Sequence, residues 1–538
     1  MQKLLLLGDE AIAQAAIDGG ISGIYAYPGT PSTEIMEYVQ ASKLAKENGI
    51  RALWSANEKT AMESALGMSY AGKRAMVCMK HVGLNVAADA FINAAITGAN
   101  GGLVVVSADD PSMHSSQNEQ DSRFYGKFSL IPMLEPSNQQ EAYDMTRYAF
   151  ELSEKMRIPV LLRITTRLAH SRTGLETSDA VAQNELRLPD NLRQFVLLPS
   201  IARKQYRELL GKQEQLEAAA SESGFNRMIE GSDKRLGIIA CGLAYNYLLE
   251  NYTDDKLVNP VLKIGQYPVP LDMVNELYES CEEIIVLEDG YPMIEELLRG
   301  MLNKGKSIKG RLDGTLPRDG ELNPVVVGHA LGKGHEHGSE IPPLVKNRPP
   351  KLCDGCSHND AFLALNEALN AYGRGRVFSD IGCYTLSALE PLEAINSCVD
   401  MGASITMAIG AADAGLVPAV AAIGDSTFTH SGMTGLLDAV NNNSPITVLI
   451  LDNSTTGMTG GQASSAYGRI DDIVRGLGVS EEHIRVLKPL RKNHEENTAI
   501  IKEELAYQGV SVIIPRRECI QTLNRKMRQK ATAKAMNI

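Results

Sequence analysis

Two polar motifs stand at the ends of apolar runs in the last third of the chain. The run "PAVAAIGD" (418 to 425) ends in Gly424 and Asp425, and "ITVLILDN" (446 to 453) ends in Asn453. Ligands of open parallel sheets bind outside the carboxyl ends of the strands, so both residues can face one crevice. An Asp carboxylate and an Asn carbonyl are hard oxygen ligands that suit Mg²⁺, which completes its shell with phosphate oxygens and water. The pair therefore predicts a Mg²⁺–diphosphate site, although each residue alone is also compatible with a helix cap.

These motifs belong to a longer alternation of strands and helices. Strands that are apolar throughout and alternate with helical stretches are typical of α/β folds with mainly parallel sheets. The segment 203 to 235 is charged and poor in strand formers, which predicts an exposed helix plus linker, and the segment 304 to 350 is rich in Lys, Gly, Pro and His. We therefore expect three α/β units, at 1–202, 236–345 and 346–538, with 203–235 as a linker. The eight apolar runs predicted as strands are 23–27, 102–108, 158–165, 236–242, 283–289, 418–425, 446–453 and 510–515.

Length and charge limit the possible functions. A chain of 538 residues suggests about three domains. A net charge of -12 argues against a nucleic-acid or anionic-membrane surface, which needs a basic patch. The N-terminal "LLLL" is followed at once by an acidic pair and is too short for a signal sequence, and no run approaches the ~20 apolar residues of a membrane span. We therefore expect a cytoplasmic protein whose eight cysteines are thiols or ligands and not a disulfide framework.

The C-terminal pair of motifs resembles the Mg²⁺–diphosphate motif of thiamine diphosphate enzymes. That motif has Gly-Asp-Gly, a spacer like residues 427 to 452 here, and Asn, and this sequence departs from it only in Ser426. The resemblance implies that Asp425, Asn453 and the main-chain carbonyl of Thr455 bind Mg²⁺. The other residues that it places at the cofactor are Gly424, Ser426, Gly457 and Met458.

A second part of the chain resembles the pyrimidine-binding domain of the same enzymes. The stretches are "YPGTPSTE" (27 to 34) and the segment 54 to 85, and the family's glutamate at a strand-to-helix junction falls on Glu58. The resemblance implies that its carboxyl group hydrogen-bonds N1′ of the aminopyrimidine, and desolvation would raise its pKa so that it can donate. The alternative is a first-turn glutamate that is stabilised by the helix dipole.

Four further stretches restrict the resemblance to one family of thiamine diphosphate enzymes. They are "NEKTAMESALG", "KHVGLNVAADAF", "ADDPSMHSSQNEQDSR" and "CDGCSHNDAF". Together they resemble the large subunit of indolepyruvate:ferredoxin oxidoreductases, and "IIVLEDGYPMIEE" fits that family's transketolase-C-like middle domain. This implies oxidative decarboxylation of a 2-oxoacid, arylpyruvate-like or indolepyruvate-like, with coenzyme A and ferredoxin or another electron acceptor. It also implies a homodimer and a smaller β subunit. Non-oxidative decarboxylation or carboligation, or a silent subunit that scaffolds a partner, are the alternatives.

One departure from the family concerns the electron path. Relatives continue into a ferredoxin-like domain with Cys-x-x-Cys-x-x-Cys runs, and this sequence ends without one, so we expect distal clusters on a partner or another electron route. Relatives with a cluster beside thiamine take its ligands from positions that match Cys353, Cys356, Cys383 and Cys519, and four thiolates suit one [4Fe–4S] cluster. The alternatives are a zinc site that uses His358, or plain buried thiols.

Three further residues are candidates for contacts with the 2-oxoacid. Thr30 lies in the "YPGTPS" loop that contacts the oxoacid in relatives, and His81 follows a predicted strand. Arg123 ends "HSSQNEQDSR". An oxoacid needs a cationic partner for its carboxylate and a proton donor, which we assign to Arg123 and His81 respectively. A packing or surface role is the alternative for each.

Overall fold

The structure is a computed structural model that describes residues 3–27, 29–55, 57–114, 116, 118–249, 257–300, 342–346, 351–399, 401–456, 462–464 and 466–536. The chain divides into two compact units, one of residues 1–291 and 352–538 and one of residues 292–351. The smaller unit contains the helix Met293–Arg299. The sites discussed below all lie in the larger unit.

An N-terminal sheet of seven strands carries the first set of predicted site residues. Its order is β13-β6-β7-β5-β4-β2-β3, and every neighbouring pair is parallel except β13 with β6. Strands β1 and β8 form a separate antiparallel sheet of two strands. The strands are β1 Lys3–Leu7, β2 Gly23–Ala26, β3 Arg51–Trp54, β4 Ala75–Lys80, β5 Leu103–Asp109, β6 Met133–Leu134, β7 Val160–Thr165, β8 Arg172–Glu176 and, later in the chain, β13 Gln266–Tyr267.

A C-terminal sheet of seven parallel strands carries the second set. Its order is β21-β22-β18-β17-β15-β16-β9, and its interior strands are wholly buried, as expected for a sheet covered by helices on both faces. The strands are β9 Phe195–Val196, β15 Val377–Ser379, β16 Ser397–Cys398, β17 Ala419–Gly424, β18 Ile446–Leu451, β21 Ile484–Leu487 and β22 Ser511–Pro515, and an antiparallel pair is formed by β19 Thr455–Thr456 and β20 Gln462–Ala463.

A middle sheet of four strands has the order β10-β12-β11-β14. Its strands β12, β11 and β14 are parallel, and β10 is antiparallel to β12. The segment predicted as a linker, 203 to 235, contains helical residues and the edge strand of this sheet. The strands are β10 Arg227–Ile229, β11 Leu236–Cys241, β12 Val261–Ile264 and β14 Glu283–Leu287.

Helices cover these sheets and separate their strands in sequence. The helices of the first half are α1 Gly8–Asp18, α2 Thr33–Ala41, α3 Lys43–Glu47, α4 Glu58–Tyr70, α5 His81–Val86, α6 Ala88–Thr97, α7 Arg123–Ser129, α8 Gln139–Met156, α9 Thr166–His170, α10 Pro199–Gly211, α11 Gln213–Glu222, α12 Ala244–Leu249, α13 Leu271–Ser280 and α14 Met293–Arg299. Those of the second half are α15 Ser357–Leu369, α16 Ala403–Asp413, α17 Asp425–Thr427, α18 Met433–Asn441, α19 Ile470–Gly476, α20 His494–Ala506 and α21 Ile520–Met536, with shorter 3-10 or π turns at Cys383–Ala388, Phe428–Gly432, Glu481–His483 and Arg491–Asn493.

The predicted α/β class is confirmed. Each of the eight apolar runs predicted as strands overlaps an observed strand, namely β2, β5, β7, β11, β14, β17, β18 and β22. Two short strands cross the predicted domain boundaries, because β9 joins the C-terminal sheet and β13 joins the N-terminal sheet. The described part of the chain contains no helix with the length and apolar character that crossing a membrane requires.

Candidate functional site

The structure brings the Asp425 and Asn453 motifs to one edge of the C-terminal sheet. Strands β17 and β18 are parallel neighbours, with Gly424 paired to Leu451, so both strands end at the same level. Asp425 opens the helical turn α17 directly after β17, and Asn453 follows β18 by two residues. The turn α17 packs against β19, which begins at Thr455. The three predicted Mg²⁺ ligands therefore belong to two loops that contact each other.

The carboxyl group of Asp425 has the environment of a cation ligand. The residue is only 3% exposed, and its Oδ1 accepts a hydrogen bond of 2.8 Å from the Ser426 N–H. Its Oδ2 is buried and has no hydrogen-bond partner among the described residues. Burial and, to a smaller extent, the nearby charge of Asp452 raise the pKa of Asp425 to about 6, while the neighbouring polar groups of Ser426, Ser464 and Ser454 act in the opposite direction. A buried carboxylate oxygen without a donor is costly, so a Mg²⁺ ion at this oxygen fits the residues present.

The side chain of Asn453 is held in a defined orientation. Its Oδ1 accepts a hydrogen bond of 3.0 Å from the Thr455 N–H, and its Nδ2 lies 3.3 Å from Nε2 of His358. Burial lowers the pKa of His358 to about 4, so its ring is neutral at pH 7 and Nε2 can accept from the amide. This arrangement fixes which end of the amide is oxygen. Sequence reasoning considered His358 only as a zinc ligand and did not find this positioning role.

Gly424, which precedes Asp425, lies so close to the ring of Tyr384 that no side chain fits at this position. A β-carbon on Gly424 would lie 2.6 Å from Cε1 of Tyr384, which no side chain tolerates. Tyr384 in turn donates its hydroxyl hydrogen to Oδ1 of Asp380, which follows β15. Asp380 is fully buried, and the sequence analysis missed it although it also follows a strand of this sheet. The predicted cofactor residues Gly457 and Met458 lie outside the described residues.

The second set of predicted residues lies at the carboxyl edge of the N-terminal sheet. Thr30, Glu58 and His81 follow β2, β3 and β4, which are adjacent parallel strands. Glu58 is the first residue of α4 and is half-buried, and the side chain of Asn57 caps this helix by accepting from the Thr60 N–H. A β-carbon on Gly83 would approach Oε1 of Glu58 to 2.6 Å. The absence of a side chain at Gly83 therefore leaves the space that the Glu58 carboxyl group uses.

His81 is buried and has one ring nitrogen engaged by the main chain. It is 1% exposed, and its Nε2 lies 3.1 Å from the main-chain oxygen of Asn118, so Nε2 carries the proton in the neutral ring. Its Nδ1 is buried and has no hydrogen-bond partner within the described ranges. Thr30 is exposed in the loop after β2. The structure thus leaves one ring nitrogen of His81 available to a ligand.

The guanidinium group of Arg123, which was predicted to bind the carboxylate of the oxoacid, is paired with carboxylates of the protein itself. The side chain is fully buried and forms ion pairs with Asp121 and, at 2.9 Å, with Glu288. It also donates a 2.8 Å hydrogen bond to the main-chain oxygen of Tyr291. Nearby carboxylates hold the pKa of Arg123 above its usual range against the opposing effect of burial. This geometry favours a structural role for Arg123 over the predicted contact with the oxoacid carboxylate.

The edges that carry Glu58 and Asp425 are connected through side chains within one chain. Lys59, next to Glu58, donates a 3.0 Å hydrogen bond to the main-chain oxygen of Met401, just before α16. Two residues of α16 continue the connection, because Thr406 donates to Glu63 at 2.5 Å and Ser404 donates to Asp380 at 2.6 Å. From Asp380 the Tyr384 hydroxyl reaches Thr427 of α17 at 3.3 Å.

Helices α4 and α16 pack unusually closely at the same junction. A β-carbon on Gly410 would lie 2.0 Å from the main-chain oxygen of Ser64, and one on Gly67 would lie 2.3 Å from that of Met407. Only glycine permits such an approach of two helix backbones. The N-terminal and C-terminal sheets of one chain are therefore joined face to face through these two helices.

The four cysteines of the predicted cluster converge beside the Asn453 loop. Cys356 donates its N–H to the main-chain oxygen of Cys353 at 3.0 Å, and the Cys519 N–H donates to that of Asn453 at 3.1 Å. Gln521 of α21 donates to Sγ of Cys353 at 3.3 Å. Burial and the charges of the other three cysteines together raise the pKa of Cys383 to about 11. All four sulfur atoms are thus close enough for their charges to interact.

The remaining cysteines have no part in this group. Cys78, Cys241 and Cys398 are buried within β4, β11 and β16, and Cys281 is half-buried after α13. These four cysteines therefore lie in the packed interior or at its margin, outside the predicted cluster.

The sequence of the chain is similar to known families and proteins. Residues 14–202 match the family "Pyruvate flavodoxin/ferredoxin oxidoreductase, thiamine diP-bdg", and residues 380–514 match "Thiamine pyrophosphate enzyme, C-terminal TPP binding domain". The chain is 41% identical to the indolepyruvate oxidoreductase subunit IorA of Methanothermobacter marburgensis, over 96% of this chain and 87% of that protein. It is 40% identical to the subunit of the same name from Archaeoglobus fulgidus, over 98% of this chain and 88% of that protein.

A solved structure is more distantly similar. The 2-oxoglutarate:ferredoxin oxidoreductase from Magnetococcus marinus matches 55% of this chain and 60% of that chain, with a TM-score of 0.46 and 18% identity. A similarity of this size does not place any residue of the site.

Proposed function

The chain belongs to the family of indolepyruvate oxidoreductase IorA subunits, and we propose that its own substrate is an arylpyruvate such as indolepyruvate. As a member it is a thiamine diphosphate-dependent 2-oxoacid oxidoreductase, which confirms the resemblance found in the sequence. Its reaction is the oxidative decarboxylation of a 2-oxoacid with ferredoxin as acceptor, and the non-oxidative and scaffolding alternatives are not favoured. The arylpyruvate preference and coenzyme A as acyl acceptor are part of our proposal.

One Mg²⁺ ion would be held by Asp425, Asn453 and the carbonyl of Thr455. The support is the chemistry of the donor set, since a buried carboxylate oxygen lacks a partner and the neighbouring amide is fixed with its oxygen toward the loop. A Mg²⁺ ion held by these residues would neutralise part of the diphosphate charge, which an uncompensated carboxylate would repel. The main-chain groups of Gly424 and Ser426 lie at the same turn and would contact the diphosphate.

Glu58 would act on the pyrimidine end of the cofactor. When bound, thiamine diphosphate supplies the electron sink that decarboxylation requires. The chain contributes a half-buried carboxyl group at the start of α4, which the space left by Gly83 accommodates. This carboxyl group would hydrogen-bond N1′ and so govern proton movement between the pyrimidine and C2.

His81 and Thr30 would contact the oxoacid. In the neutral ring Nε2 donates to the Asn118 carbonyl, so Nδ1 would accept a hydrogen bond from the oxoacid, and the predicted role of His81 as a proton donor would require a second proton on Nδ1. Thr30 offers a hydroxyl group from an exposed loop at the same sheet edge. We do not retain Arg123 in the substrate site, because its charge is balanced by Asp121 and Glu288.

A [4Fe–4S] cluster on Cys353, Cys356, Cys383 and Cys519 would take electrons from the substrate site. Cys519 is bonded through its main chain to Asn453, so the cysteines lie beside the proposed Mg²⁺ loop. One tetrahedral zinc ion would need sulfur atoms about 3.8 Å apart, since a Zn–S bond is ~2.3 Å. In the described part of the chain no three of these sulfur atoms lie within 4.8 Å of one another, and His358 is engaged with Asn453. Four cysteine thiolates are the ligand set of a [4Fe–4S] cluster, which is therefore the centre that we propose.

The quaternary expectations also remain proposals. We propose a homodimer of this chain, a smaller β subunit and a cytoplasmic location, as the family resemblance implies. The close packing of α4 on α16 joins the two sheets within one chain, so a dimer would add to a junction that each chain already forms.

The observation that carries this proposal is the unpartnered, buried Oδ2 of Asp425 beside the Asn453–Thr455 loop. Asp425→Asn should therefore reduce Mg²⁺–thiamine diphosphate affinity at least 100-fold in titration calorimetry, an effect on the order of 3 kcal/mol. The matched control is Asp472→Asn, an exposed acid whose side chain is 80% accessible. Unchanged cofactor affinity in the Asp425 variant would refute the site, and unchanged affinity in the control is expected.

A further inference from the structure

A second group of potential metal ligands lies far in sequence from the Mg²⁺ loop. Asp9 is near the start of α1, Glu34 is in the first turn of α2, and His170 ends α9. One ligand atom from each lies within 4.8 Å of those from the other two. We call these three residues the Asp9 cluster.

The fold brings the three helices together through a glycine. A β-carbon on Gly8 would lie 2.2 Å from the main-chain oxygen of Leu168, and the Gly8 N–H donates to the Ser171 carbonyl at 3.2 Å. Helix α9 can therefore lie directly on the start of α1, which places His170 beside Asp9. Nε2 of His170 is 3.5 Å from Oε1 of Glu34.

The carboxyl group of Asp9 lacks hydrogen-bond donors among the described residues. It is fully buried, and neither of its carboxylate oxygens has a hydrogen-bond partner in the part of the chain that the structure describes. Oε2 of Glu34 is also buried without a partner there. Two adjacent carboxyl groups without donors call for either a cation or a shared proton.

The surrounding charges do not supply that cation. The neighbouring Glu10 turns away, because it accepts from the Leu7 N–H at 2.8 Å and pairs with Arg172 at 3.4 Å. The buried Cys78 thiol, which carries no positive charge, is another near neighbour of Asp9. No lysine or arginine of the described ranges forms an ion pair with Asp9 or Glu34.

We propose that Asp9, Glu34 and His170 bind one divalent cation of the Mn²⁺ to Zn²⁺ group. Two carboxylate oxygens and one imidazole nitrogen suit these ions, whereas Ca²⁺ and Mg²⁺ prefer sites made only of oxygen. Ligands bound at about 2.1 Å stand ~3 to 3.5 Å apart, a separation that Nε2 of His170 and Oε1 of Glu34 already have at 3.5 Å, whereas the Asp9 oxygen would move toward them on binding. The side chains of Glu34 and His170 are 35% and 36% exposed, which gives the ion a route from solvent and room for water ligands.

A cation here would also fix a loop of the candidate substrate site. Glu34 follows the turn in which Ser32 donates to the Gly29 carbonyl at 2.8 Å, and Thr30 lies within that turn. The ion would join this end of α2 to α1 and α9 at the carboxyl edge of the N-terminal sheet. This inference concerns metal binding and does not depend on the proposed substrate or on the Mg²⁺ loop.

The test uses Mn²⁺ and the full-length chain, treated with chelator and without thiamine diphosphate. Bound and free Mn²⁺ are counted by electron paramagnetic resonance in an Asp425→Asn background, which removes the proposed Mg²⁺ site, and thiolates compete weakly for this hard ion. We expect about one Mn²⁺ per chain, an increase in the melting temperature with Mn²⁺, and loss of both after Asp9→Asn. His170→Gln should weaken Mn²⁺ binding at least 10-fold, and it provides a second variant at a half-exposed position if the buried substitution disturbs the fold.

The matched control is Glu37→Gln, an exposed acid one turn further along α2. It should leave Mn²⁺ binding unchanged. Full Mn²⁺ binding in Asp9→Asn and in His170→Gln would overturn the proposal. Absence of a Mn²⁺ site in the Asp425→Asn background would also overturn it and would assign the Asp9 and Glu34 carboxyl groups to a shared proton.

Discussion

Lys59 donates a hydrogen bond of 3.0 Å to the main-chain oxygen of Met401, and this contact joins the helix that begins at Glu58 to the start of α16 in the C-terminal half of the chain. The same ammonium group pairs with Glu63, which is 1% exposed. The largely buried ammonium group of Lys59 thus contacts both halves of the candidate site and stabilises their relative position.

Replacing Lys59 by Met should therefore disturb both stability and cofactor binding. The change leaves the buried Glu63 carboxylate without its cation, and removal of one partner from a buried pair costs about 3–5 kcal/mol. We expect a loss near the lower end of this range in denaturant unfolding, with weaker thiamine diphosphate binding. Lys43→Met is the control, because the Lys43–Glu47 pair is 3.6 Å long and exposed, and such pairs contribute only about 0–1 kcal/mol. Equal effects of the two substitutions would count against the proposed junction.

A buried ionic network around Arg163 predicts an unusual pH dependence. Arg163 is fully buried and pairs with Asp109 at 2.6 Å, with Asp121 at 3.6 Å and with Glu135. Arg163→Met should lower the free energy of unfolding at pH 7 by about 3–5 kcal/mol, because three buried carboxyl groups lose a cation.

The sign of the pH effect follows from Asp109. Its pKa is raised by burial, and the Arg163 charge opposes that rise. Without Arg163 the folded pKa moves further above the unfolded value of ~3.9, so the stability of the variant is greatest at low pH and is lost as pH rises through the folded pKa. Denaturant unfolding between pH 4 and 7 should show part of the loss recovered on acidification relative to the unsubstituted protein. The exposed pair Arg187–Asp190 gives the control, Arg187→Met, for which no such recovery is expected.

A substitution of Cys519 tests the proposed iron–sulfur cluster independently of thiamine diphosphate binding. Protein isolated anaerobically should contain about four irons per chain, as one [4Fe–4S] centre requires, and Cys519→Ser should lose most of that iron and the reduction of ferredoxin. Binding of Mg²⁺–thiamine diphosphate should persist, since the Cys519 contact to Asn453 is made by its main chain. Cys281→Ser, at a half-buried position outside the group, should keep its iron. Iron retained in the Cys519 variant would exclude this cysteine as a ligand.

The strands and the Asp425–Asn453 crevice could be predicted because both depend on local sequence. Apolar runs bounded by polar residues gave eight strands, and the polar residue that follows such a run in a parallel sheet lies at its ligand edge. Strand β9 escaped prediction because a two-residue strand leaves too short a pattern. Asp380 was missed, although the same rule applied to β15 would have found it.

Long-range partners could not be predicted from the sequence. Arg123 looked available to a substrate, since Glu288 lies far from it in the chain and only the fold brings the two together. The same holds for the pairing of His358 with Asn453 and for the Asp9 cluster, whose members are on three separate helices. The composition of each segment gave no sign of these contacts.

The central claim is that the carboxyl group of Glu58 acts on the cofactor that Asp425 holds through Mg²⁺. The most direct measurement is the exchange of the C2 proton of bound thiamine diphosphate with deuterium, followed by NMR after rapid acid quench, in the unsubstituted protein and in Glu58→Gln. Our account predicts that the variant retains the cofactor with an affinity within about threefold and exchanges the proton at least 100-fold more slowly, a difference of ~2.7 kcal/mol in activation free energy. Glu37→Gln should exchange at the unsubstituted rate. An exchange rate in Glu58→Gln equal to that of the unsubstituted protein, with the cofactor fully bound, would contradict the account.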